Sequence, residues 1–175
     1  MAEQADEFAR IRGYLIAQAA KLSMPDLIVK VREDSLPLRQ AAGLIPASRM
    51  ADRPADGEWS GAEVWTHILE MNEHGLRAIS GILDHGTLPE RVSDTISGDV
   101  RKGLSSGDDY YAAYLPRREE LLARVSRASG DEYPEIKISH SMYGDLSWRQ
   151  RLLFMRVHDL DHLRQLQSIA AALGS

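Results

Sequence analysis

Apolar residues recur at helical spacing through most of the chain, with polar turns between the runs. The strongest run extends from Ser147 to Leu173. Leu152, Leu153, Met155, Val157, Leu160, Leu163, Leu166, Ile169 and Leu173 share its apolar side, and no Pro or Gly interrupts it before Gly174. This predicts one long helix with a broad apolar face. Ser147 and Gln150 form a capping-box pattern at its start. Ser60 and Glu63 repeat that pattern at the head of a second run, whose apolar side carries Val64, Ile68, Met71, Ile79 and Leu83. A third helix is predicted from Asp108 to about Ser129, with Leu115, Leu121, Leu122 and Val125 as core candidates. Pro116 either bends it or marks its true start.

Toward the N-terminus, Asp6 to Leu22 reads as amphipathic, with Phe8, Ile11, Leu15, Ala19 and Leu22 on one face. Pro25 to Leu44 reads as a further helix that Pro37 kinks or splits. Met50 to Glu58 is loop by composition. The stretch from Asp84 to Gly107, rich in Gly, Ser, Asp and Thr, is a connection of the length that often carries function, such as a lid. Gly130 to Leu146 reads as another loop, in which Ile136 and Ile138 alternate as in a short strand. Several long helices with little strand signal predict an all-α bundle.

The 175 residues suit a single domain, residues 1–175, with one hydrophobic core. A formal charge of −5 and no dense Lys/Arg block argue against a nucleic-acid partner. The acidic, polar start M-A-E-Q-A-D-E-F does not resemble a signal peptide, and no apolar run is long enough to cross a bilayer. The expected location is therefore the cytoplasm. The absence of cysteine narrows the chemistry most. It excludes disulfides, thiolate ligands and a protein thiol nucleophile, and leaves His and carboxylates to bind Zn²⁺, Ni²⁺, Fe²⁺ or Mn²⁺.

His158 and His162 lie four apart in the last helix. That spacing stacks two side chains on one face, with Cβ atoms roughly 5–6 Å apart, so both rings can reach one ion at Zn–N bonds of about 2.0–2.1 Å. A catalytic site needs a third protein ligand and an open position. His67 and His74 are the candidates, one helix away. They are seven residues apart, about 10 Å along the axis, so one ion cannot hold both. The apolar neighbours Trp65, Ile68 and Leu69 favour His67 as the inward one. Asp159 and Asp161 point off the face shared by the histidines and read as surface groups or as groups that orient ligands. Without metal, the His pair would be hydrogen-bonded histidines near the core edge. His85 and His140 fall in loops and read as solvated. Trp59 and Trp148 read as packing residues at helix starts, and Tyr110, Tyr111 and Tyr114 as core or interface rather than cofactor contacts.

Two segments carry a resemblance: G-E-W-S-G-A-E-V-W-T-H at residues 57–67 and V-H-D-L-D-H-L-R-Q-L at residues 157–166. With them the chain resembles the DinB-like superfamily of metalloenzymes, whose members place a ligand His after a Trp-Ser helix start. A later His-x-x-x-His is followed there by Gln. Trp59, Ser60, His67, His158, His162 and Gln165 match that order. The resemblance implies a four-helix bundle, often a homodimer, with a divalent metal held by three histidines. It selects His67 over His74. Characterised relatives include bacillithiol S-transferases and mycothiol-dependent maleylpyruvate isomerases, which use a low-molecular-weight thiol. The departures are Pro37, Pro116 and an additional N-terminal helix.

The implied cofactor is a divalent metal, Zn²⁺ or Ni²⁺ first with Fe²⁺ or Mn²⁺ as alternatives, together with a thiol cosubstrate. The expected activity is thiol S-transfer to, or hydrolysis of, a small-molecule substrate. Glu63, Glu70 and Asp161 are candidate proton shuttles, although exposed helical ion pairs would also account for them. The competing readings are a non-catalytic metal-binding or stress-related protein and a metal-free helical dimerisation module.

Overall fold

The computed structural model describes residues 2–87 and 100–174. Helices α1 (Ala2–Lys21), α2 (Met24–Ser35), α3 (Pro37–Ala41), α4 (Gly61–His85), α5 (Gly107–Val125) and α6 (Trp148–Leu173) account for most of it. A 3₁₀ turn lies at Ala47–Arg49, and strands β1 (Ile138–His140) and β2 (Gly144–Leu146) form an antiparallel hairpin. The fold is all-α apart from that hairpin. No helix among the described residues is long and apolar enough to cross a membrane.

The helix starts follow the cap chemistry. The Ser60 backbone N–H donates to Glu63 Oε2 at 2.8 Å while Ser60 Oγ accepts from the Glu63 N–H. The Ser147 N–H donates to Gln150 Oε1 at 2.9 Å with the same return bond. Ser106 and Asp109 cap α5 in the same way. Each box satisfies two donors that a helix N-terminus leaves open. Gly86, with φ 59°, closes α4 in the left-handed conformation that costs glycine least.

Pro37 splits the predicted helix over residues 25–44, as its missing N–H dictates, and stands at the first position of the short α3. Pro116 lies inside α5 rather than at its start. Leu115 is not a core residue: it is 38% exposed. The buried stripe of α5 instead runs through Tyr110, Tyr114, Arg118, Leu121, Leu122 and Val125, and Leu115 stands one residue, a rotation of about 100°, from Tyr114 on that helix. The Asp84–Gly107 connection begins later than expected because α4 continues to His85, and residues 88–99 of the expected lid lie outside the described residues. Its return is tied to α4, where the Arg101 N–H donates to Thr66 Oγ1 at 3.2 Å and the Arg101 guanidinium pairs with Glu73.

Helix α4 packs mainly on α5 and α6, α2 and α3 close the bundle against those same helices, and α1 lies mainly on α6. The buried apolar residues form two clusters. One holds Met71 to Leu83 of α4, Leu121 to Val125 of α5 and Leu152 to Met155 of α6. The other holds Ala62 to Leu69, Tyr110 to Tyr114 and Leu166 to Ala170 of the same helices. Between them lies a layer of polar side chains: Asn72, Arg118 and Asp159, with His67, His158 and His162 beside them.

Candidate metal centre

His67 projects from the second turn of α4 and His158 and His162 from the middle of α6, where the two helices pack together. One nitrogen of each ring lies within 4.8 Å of the others. His67 Nε2 is 3.0 Å from His158 Nε2, close to the roughly 3 Å that separates two nitrogens on one ion with bonds of about 2.0–2.1 Å. The three rings could therefore hold a metal ion. His74 is also buried, at 6% exposure, yet stands outside this group because two further helical turns separate it from His67.

Contacts around the rings fix their orientation. His162 Nδ1 is 2.8 Å from Gln165 Oε1, so Nδ1 donates to the amide oxygen and Nε2 is the nitrogen that could ligate a cation. Trp59 lies nearly parallel to His162, with centroids 6.1 Å apart and planes at 12°, and meets His67 edge-on at 5.4 Å. Trp59 is therefore more than a packing residue at a helix start, because it braces two of the three rings. His158 Nδ1 is buried without a hydrogen-bond partner, and Asp159 Oδ1 stands 3.5 Å from it. A cation on Nε2 would leave the Nδ1 proton facing that carboxylate, the arrangement by which outer groups orient metal-bound imidazoles. The donor set and this oriented but unsatisfied nitrogen both fit a divalent cation.

Asp159 is buried, not a surface group. Arg118 Nη2 and Tyr114 Oη donate to its Oδ2 at 2.8 and 2.6 Å, and Arg118 Nε donates to Asn72 Oδ1 at 3.0 Å. Asn72 Nδ2 in turn donates to the Tyr114 carbonyl at 3.0 Å, tying α4 to α5. Burial alone would push the Asp159 carboxyl up, but the Arg118 guanidinium, His158 and the Tyr114 hydroxyl together hold it below the usual carboxylate range. Tyr114 is thus a core tyrosine with a polar task. Arg118 was legible as the fourth residue after Tyr114 on the buried stripe of α5, although its charge argues for the surface in sequence alone.

A cavity of about 400 Å³ opens beside the three rings. Its lining includes His140, which corrects the expectation of a solvated loop histidine. The hairpin buries this ring to 5% exposure against Tyr143 and Phe154, with centroids at 4.8 and 4.5 Å. Its Nδ1 accepts the Met142 and Tyr143 backbone N–H groups at 3.1 and 3.4 Å, so the neutral ring carries its proton on Nε2. His85 is exposed at the end of α4, as expected. Of the three candidate proton shuttles, Asp161 lines the cavity. Glu63 is committed to its capping box and to Arg53, and Glu70 is not part of the lining. Trp148 is a core residue whose indole N–H donates to the Glu132 carbonyl at 3.0 Å.

The same crowding sets the ionisation of His162. Burial, then the neighbouring His158, lowers the His162 pKa from 6.5 to about 4, and the Gln165 contact opposes this only partly. The ring is neutral at physiological pH and releases no proton on binding a cation. For the metal-free protein the sign is fixed: unfolded His162 protonates near 6.5, the folded ring only near 4. Stability is therefore full above pH 6.5 and falls as the pH drops toward 4. Urea unfolding of metal-free protein should show a His162 contribution of about 2 kcal/mol lost between pH 7 and pH 5. A His162→Gln variant should lack that component. An unchanged pH slope in the variant would show that His162 does not supply it.

The architecture is thus all-α, with three histidines between two bundle helices that could hold a metal ion. The DinB superfamily's sequence profile matches residues 31–166, and the chain belongs to that superfamily. The match leaves α1 and the first turns of α2 outside it. No curated protein and no solved structure matches the chain.

Proposed function

We propose that the protein is a divalent-metal-dependent enzyme acting on a small molecule, with His67, His158 and His162 as the metal ligands and a thiol as cosubstrate. The observation that carries this reading is the convergence of three imidazoles at the edge of a 400 Å³ cavity. Three ligands leave a coordination position open. Neutral ligands leave the ion its full charge, so a bound divalent cation would act as a Lewis acid that eases proton loss from a water or thiol at that position. The chain has no cysteine, so any sulfur nucleophile comes from solution. Thiol S-transfer fits such a site, and so does hydrolysis.

The chain's own residues divide the remaining work. Gln165 and Asp159 orient His162 and His158, and Trp59 braces the His67 and His162 rings. Asp161, at the mouth of the cavity, takes the proton released there. Zn²⁺ and Ni²⁺ suit an all-imidazole set best, with Fe²⁺ or Mn²⁺ as alternatives. The protein would act in the cytoplasm as a single domain, and its resemblance to dimeric relatives makes a homodimer the expected assembly.

Cobalt-substituted protein tests the reading. Adding 2-mercaptoethanol should produce a sulfur-to-cobalt charge-transfer band, and conjugation of a thiol to an electrophilic acceptor should require the metal. A cobalt spectrum unmoved by thiol, with no metal-dependent conjugation or hydrolysis, would instead identify a non-catalytic metal-binding protein.

A further inference from the structure

The cavity extends well beyond the three imidazoles, and its far wall draws on α1 and the hairpin as well as α6. Leu15 and Ala19 of α1 are buried in the core, but Phe8 and Ile11 on the same stripe are only half-buried. They pack against the edge of the core and also line the cavity. The hairpin closes the wall. Phe8 meets Tyr143 edge-on with centroids 5.6 Å apart, Tyr143 meets Phe154 at 5.4 Å, and Phe154 meets His158 at 5.9 Å. A continuous line of rings thus runs from α1 to one of the proposed metal ligands. Met71 and Val157 fill the floor between them. The charged residues of the lining, Glu7, Asp161 and Arg164, are exposed and mark the mouth.

We propose that Phe8 and Ile11 of α1, with Tyr143 and Phe154, form the binding wall for an apolar, aromatic-sized body of the substrate, whose polar end reaches the three histidines. The size agrees: a cavity of roughly 150 Å³ already holds benzene, and 400 Å³ leaves space for the polar end as well. The chemistry agrees too, because a ring inserted here replaces water against aromatic and aliphatic faces. Helix α1 lies outside the part of the chain that matches the superfamily. The wall it contributes would act as a specificity element. The inference rests on the three-histidine metal reading.

Two probes that share one metal-binding group separate the ideas. Acetohydroxamate and benzohydroxamate are titrated into cobalt-loaded protein and followed by the visible spectrum. Both should bind, with benzohydroxamate tighter by roughly tenfold or more from burial of its ring. An Ile11→Trp variant, which fills the wall, should reduce that advantage to less than about threefold while acetohydroxamate still binds. Phe8→Ala should reduce it in the same direction by removing one face of the slot. Equal affinities in the parent, or an advantage that survives both substitutions, would overturn the wall while the metal reading stands. Failure to retain cobalt, or a cobalt spectrum that neither hydroxamate moves, would overturn the metal reading and this inference with it.

Discussion

Purified His162→Ala protein is expected to hold less than about a tenth of the metal that the parent retains, measured by elemental analysis after gel filtration. Two imidazoles cannot complete a catalytic-type site, which takes three protein ligands. The loss should exceed the 10–100-fold typical of outer orienting groups. His67→Ala and His158→Ala should behave alike, because the three nitrogens lie within 4.8 Å and would serve one ion. His74→Ala, two helical turns away on α4, should leave metal content unchanged. Gln165→Ala should fall between these limits, since it removes only the acceptor at His162 Nδ1. Full metal retention in all three histidine variants would eliminate the proposed centre.

The second large effect concerns stability. Arg118 and Asp159 are 1% and 2% exposed and form a hydrogen-bonded ion pair at 2.8 Å. Arg118→Met would leave the Asp159 carboxylate buried with the Tyr114 hydroxyl as its remaining strong donor, and would free Asn72 Oδ1 of its partner. Removing one member of a buried pair typically costs about 3–5 kcal/mol. For a chain of this size, that lowers Tm by roughly 10 °C. The Arg118→Met/Asp159→Asn double variant should lose clearly less than the sum of the single losses, because the uncompensated charge is gone. Urea unfolding of the four proteins checks this. Additive losses would mean that the two side chains do not depend on one another. The double variant should also bind metal more weakly, since the carboxylate facing His158 Nδ1 is lost.

Several features were set by local sequence. The capping boxes at Ser60 and Ser147 determined where α4 and α6 begin, because the donors and acceptors involved lie within one helical turn. The four-residue spacing of His158 and His162 placed both rings on one face for the same reason. Pro37 had to interrupt its helix, and the lack of cysteine fixed what kind of metal ligands could exist. The choice of His67 over His74 came from the Trp-Ser-to-His segment and its family resemblance. Apolar neighbours alone could not supply it, since both histidines turned out to be buried.

Tertiary structure decided everything that depends on which helix faces meet. Asp159, Arg118 and Asn72 are separated by dozens of residues and each carries a polar side chain, so their burial follows only from their mutual hydrogen bonds. His140 looked like a loop residue until the hairpin folded it against Phe154. Leu115 looked like core until the tyrosines and Arg118 took the inner face of α5. The cavity wall joins α1, the hairpin and α6, elements whose order along the chain says nothing about their proximity. Periodicity and caps are short-range properties and survive in a linear sequence. A site made from non-local contacts exists only once the packing of the helices is chosen.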